Sequence, residues 1–217
     1  MKGNLAIVSG VVAMGLAGSA AAAPIGTYQW TDLSRIGAPW EGPQAATVSN
    51  IIYLNNCQPG GCTLHAGYDN STTDTSSIPN GTAQVAAYTG SATNWNALVD
   101  CVRQTYAPFN VQIVTTRPTG QNYHMAIVAG TPQNVGESNG VLGVSPFTCG
   151  YIPNSISFTF ANEEPSNLPD LCWTVAQETA HSWGLDHKFD NRDPMTYLQS
   201  GPTYKAFQDQ AGSCGEY

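Results

Sequence analysis

The sequence predicts a single α+β domain with two main helices, and three observations predict it. Apolar residues recur at helical spacing in two separate stretches, 91–109 and 171–183. Short β-favouring runs stand before the first of these and between the two. No internal repeat, heptad pattern or linker divides the chain, and 217 residues with 41% hydrophobic content supply enough apolar side chain for one core.

The elements follow in order. Lys2, an apolar run from Leu5 to Leu16, Ser19 and a string of alanines ending at Ala23 read as a secretory signal peptide over 1–23. The run is too short to span a bilayer core of about 30 Å, so no stable membrane insertion is expected after cleavage. The mature domain is expected over 24–217, with 24–50 a short pro-segment or an edge strand. Asn50–Leu54 is a strand, and the Gly-, Asn-, Ser- and Thr-rich stretch Asn55–Gly90 reads as loop-like surface. Ser91–Phe109 is the first helix, with Trp95, Leu98, Val99, Val102 and Tyr106 at helical spacing and Cys101 on it. Val111–Thr115 and Tyr123–Ala129 are strands parted by a turn near Pro118-Thr119-Gly120; Gly140–Val144 is a poorer candidate and Ser155–Phe160 alternates clearly. Leu171–Trp183 is the second helix, started by Pro169-Asp170 and stopped by Gly184.

Composition narrows the function. With 7 Lys+Arg against 15 Asp+Glu the formal charge is −8, which argues against nucleic acid as a partner, since phosphate contacts need clustered basic residues. Only 10% of residues are charged, so solubility rests on neutral polar side chains, as suits an exported protein. An exported chain with six cysteines is expected to form three disulfides. Cys57 and Cys62 bracket Gln-Pro-Gly-Gly, a turn tight enough to join them.

Chemistry concentrates at the end of the second helix. Gln177 and His181 are one turn apart and face the same way, and Gly184 lets the chain turn sharply so that His187 returns to the same point. Glu178 stands beside that point, where a carboxylate can take a proton from water. His65 and His124 have no such company and read as a loop and a strand histidine.

Glu178, His181, Gly184 and His187, followed by Asp193-Pro194-Met195-Thr196-Tyr197, resemble the metzincin zinc peptidases, whose signature is H-E-x-x-H-x-x-G-x-x-H with a Met-turn after it. Gln177 stands where the family has its first histidine. The gap from His187 to Met195 is similar to matrixins, and Tyr197 two places after the methionine is similar to astacins. The resemblance implies a metzincin-like zincin fold: a twisted mixed sheet, a first helix, an active-site helix, a Met-turn and a short C-terminal helix near Tyr204–Gln210. It implies one zinc ion held by Gln177, His181 and His187, with the amide oxygen of Gln177 a weaker donor than imidazole. Glu178 is the implied general base, Tyr197 the implied oxyanion donor, and Met195 packs beneath the metal. An extended peptide or protein would be the substrate, seated on an edge strand near Gly140–Val144. The astacin-like arrangement also implies a Cys101–Cys214 bridge, which leaves Cys149 and Cys172 to each other. The expected protein is a secreted or periplasmic monomer hydrolysing peptide bonds; the alternative is a metal-poor pseudopeptidase that keeps the cleft as a binding module.

Overall fold

His124–Val128 is five residues buried without a break, as a parallel strand covered on both faces must be. It is the middle strand, β6, of a five-stranded sheet in a computed structural model that describes residues 48–210 and 214–215. The expected signal peptide and the segment 24–47 lie outside the described residues. β1 (Ile51–Asn55), β5 (Gln112–Val114), β6 and β8 (Ile156–Thr159) run parallel, and β7 (Gly143–Val144) closes one edge antiparallel to β8, in the order β5-β1-β6-β8-β7. Gly143 pairs with Thr159 and Val144 with Phe158. The α+β class is as the sequence predicts, and the mixed sheet is as the resemblance implies.

Helix α1 spans Ala92–Tyr106, and Ser91 caps it by accepting a hydrogen bond from the Asn94 amide at 3.1 Å. It buries Leu98, Val99, Val102 and Tyr106, the stripe that the spacing predicts. Helix α2 spans Leu168–Ala180 and continues as a 3-10 turn, His181–Trp183. It begins about one turn before the expected start, because Pro169 is tolerated inside a first turn whose amides have no intrahelical partner. The helices pack on each other, and the Tyr106 hydroxyl bonds the Ala176 carbonyl at 3.0 Å and the Thr179 hydroxyl at 2.7 Å. No helix among the described residues is long and apolar enough to cross a membrane.

Three expectations are corrected. The stretch Asn55–Gly90 is not wholly loop: it holds a second sheet, β3-β2-β4, of Cys62–Ala66 (β2), Thr75–Ser76 (β3) and Ala83–Val85 (β4). Leu64, Ala83 and Val85 point into the core while Thr63 and Gln84 face out, so a few alternating apolar residues suffice within a polar stretch. The expected helix at Tyr204–Gln210 is absent. Its backbone donors serve the preceding loop instead, Ala206 bonding the Arg192 carbonyl at 2.9 Å and Gln208 the Asp193 carboxylate at 2.7 Å. Cys57–Cys62 is joined, but the other two pairs are Cys101–Cys172 and Cys149–Cys214, not Cys101–Cys214 and Cys149–Cys172. Side-by-side packing of the helices sets Cys101 against the first turns of α2, with Cα atoms 6.0 Å apart. Cys214 lies instead at the other end of α2, bonded to Cys149, which lies against Gly184.

Candidate active site

Every residue of α2 from Leu171 to Ala180 is buried, so its polar side chains need partners inside the protein. Glu178 is 8% exposed, and its Oε2 accepts a hydrogen bond from the Ser145 hydroxyl at 2.9 Å. Burial pushes this carboxyl up to about 7, with the Ser145 hydrogen bond pulling the other way. The edge strand lies directly against it. A Cβ on Gly143 would stand 2.7 Å from both Glu178 Cγ and Thr174 Cγ2.

His181 closes the helix, and its Nδ1 is 2.7 Å from the Leu185 carbonyl oxygen. Burial, and then the neighbouring His187, push its imidazole down to about 4, so the ring is neutral near pH 7. A carbonyl only accepts, so the ring proton sits on Nδ1 and Nε2 keeps its lone pair. Gly184 follows with φ +83°, and a Cβ there would meet the Gly150 nitrogen at 2.9 Å. Both the left-handed backbone and the close approach of Cys149-Gly150 demand glycine.

The turn at Gly184 carries His187 back, and the two imidazole centroids stand 4.7 Å apart. Asp186 accepts the His187 amide at 2.8 Å, and Lys188 donates its amide to the Met195 carbonyl at 2.7 Å, which fastens His187 to the loop around Met195. Burial lowers the His187 ring against the opposing pull of Asp186. Met195 is 2% exposed and packs with Ala180, Leu185 and Phe207. Asp193 shapes its turn, accepting the amides of Met195 at 2.9 Å and Gln208 at 2.7 Å. The Tyr197 ring, 68% exposed, lies 4.1 Å from the His187 ring, and the Phe147 ring lies 5.0 Å from that of His181.

The structure therefore gathers His181, His187 and Tyr197, with Glu178 beside them and Gln177 buried one helical turn before His181. Among the described residues no group of three or more His, Cys, Asp and Glu could hold a metal ion. His124 and His65 lie elsewhere: His124 is buried on β6 against the Ser155 hydroxyl at 2.8 Å, and His65 is exposed on β2. Sequence reasoning gave no contact with Glu178 to Gly143 or Ser145, passed over Phe147 and Leu185, and read Asp193 only as part of the Met-turn. A small residue followed two places on by a hydroxyl, Gly143-Val144-Ser145, was the one signal available for the first two. Compared with known protein families, curated proteins and solved structures, the chain matches none.

Proposed function

We propose that the chain is a secreted metal-dependent peptidase. The observation that carries this reading is a buried carboxylate, Glu178, beside two neutral imidazoles at the glycine-terminated end of one helix, facing the antiparallel edge of the sheet. The alanine-terminated leader and the three disulfides support export.

The donor set fits zinc: the proton held on Nδ1 of His181 leaves Nε2 for a cation, His187 is its neighbour, and Gln177 adds a neutral oxygen. Gln177, His181 and His187 would hold the zinc, which when bound would supply Lewis acidity toward water and a peptide carbonyl. Glu178 accepts the proton of the attacking water and returns it to the leaving amine. Tyr197, at the mouth of the site, donates a hydrogen bond to the oxyanion. The unpaired side of β7 offers backbone donors and acceptors to an extended peptide.

One observation favours the second reading, a pseudopeptidase that binds peptides without cleaving them: Gln177 replaces an imidazole by a weaker donor for zinc. Zinc content of protein purified without chelators, together with cleavage of a quenched-fluorescent peptide library, separates the two. One zinc per chain and cleavage that Glu178→Gln abolishes support the peptidase; no zinc at micromolar free metal and no cleavage leave the binding module.

A further inference from the structure

The edge strand touches the general base at two points. Gly143 lies so close that a Cβ would meet Glu178 Cγ at 2.7 Å and Oε1 at 2.9 Å, and two residues on Ser145 donates its hydroxyl to Oε2 at 2.9 Å. Residues two apart along an extended chain share a face, so both contacts come from the inward side of the same short stretch. The in-plane side of β7 away from β8 is the last edge of the five-stranded sheet.

We propose that Gly143 and Ser145 form a cradle that positions the Glu178 carboxylate, with Ser145 a positioning residue, so that the backbone seating the peptide is also the backbone orienting the base. This rests on the peptidase reading. Gly143 leaves the space into which the Glu178 side chain folds, and Ser145 ties Oε2. A peptide strand added at β7 bonds the same three-residue backbone from outside and stiffens it. Substrate occupancy and base alignment are thereby coupled through Gly143-Val144-Ser145. The contact is specific to a hydroxyl at 145: alanine removes the donor, whereas threonine retains it.

The test compares wild type, Ser145→Ala, Ser145→Thr and Gly143→Ala by crystal structure and by kcat and KM on the peptide cleaved fastest from a quenched-fluorescent library. Ser145→Ala is expected to move the Glu178 carboxylate from its wild-type position and to lower kcat roughly 10- to 100-fold with KM within about twofold, since misplacement of a reacting group by about 1 Å costs that order. Ser145→Thr is expected to restore both. Gly143→Ala is expected to displace the same carboxylate by a separate route, which keeps the idea open to test if one variant folds poorly. A Glu178 carboxylate unmoved in both alanine variants, or a Ser145→Ala enzyme with wild-type kcat, overturns the proposal. If Glu178→Gln cleaves as wild type does, the peptidase reading falls, and the cradle is then judged by the carboxylate position alone.

Discussion

Lys205 stands over the face of Trp173, its ammonium 4.0 Å from the ring centroid, and donates to the carbonyl oxygens of Asn191, Leu198 and Ser200 at 2.8, 2.9 and 3.2 Å. Three protons meet three acceptors on the loop that carries Met195 and Tyr197, and the ring beneath belongs to α2. One side chain thus fastens that loop to the helix. Lys205→Met keeps the apolar stem but leaves the carbonyls without their donor, and is expected to cost about 2–4 kcal/mol of unfolding free energy. Urea unfolding measures this, and hydrogen exchange should rise first in residues 190–200. An unchanged midpoint and unchanged exchange would remove Lys205 from this role.

Replacement of Gln177 by histidine puts an imidazole one turn before His181 on a helix whose backbone need not change. Zinc affinity is expected to rise at least about tenfold, read by isothermal titration with zinc chloride. Equal affinity in the two forms would mean that position 177 does not face the metal.

Acid should destabilise the fold through His124. Burial pushes this imidazole down to about 3 against an ordinary value of 6.5, with the Ser49 backbone opposing. Below pH 6.5 the unfolded chain takes up a proton that the folded chain refuses, so the stability is present above pH 6.5 and lost as pH falls toward 3. His181, pushed down to about 4, acts with the same sign, whereas Glu178, raised to about 7, binds its proton in the folded state and loses stability as pH rises from 4.5 to 7. The difference between wild type and His124→Gln isolates the one group. Relative to the variant, wild type is expected to lose about 2–3 kcal/mol between pH 6.5 and pH 4.5. Parallel stability curves for the two proteins would contradict it.

Non-reducing peptide mapping should link Cys101 to Cys172 and Cys149 to Cys214. The first closes 71 residues of chain, and its removal as a Cys101→Ala, Cys172→Ala pair is expected to cost about 4 kcal/mol by the chain-entropy argument. A peptide joining Cys101 to Cys214 would contradict the helix packing described above.

Local pattern alone determined much of this protein. The stripe Leu98, Val99, Val102 and Tyr106 specifies α1, the unbroken run at β6 marks a strand buried on both faces, and Gly184 marks the end of α2 and the return of the chain to His181. Those features follow from the 3.6-residue turn, the two-residue pleat and the freedom of glycine at positive φ, none of which needs a distant neighbour. Tertiary structure alone decided which cysteines meet, because pairing depends on how α1 lies along α2 and not on spacing in the chain. It decided that 204–210 is not a helix, since the Lys205 ammonium and the backbone amides of Ala206 and Gln208 donate to residues 191–200. It also decided the surroundings of Glu178. The sequence places that carboxylate beside His181, but Gly143 and Ser145 reach it from another strand more than thirty residues away, and the burial that raises its pKa is a property of the packed interior.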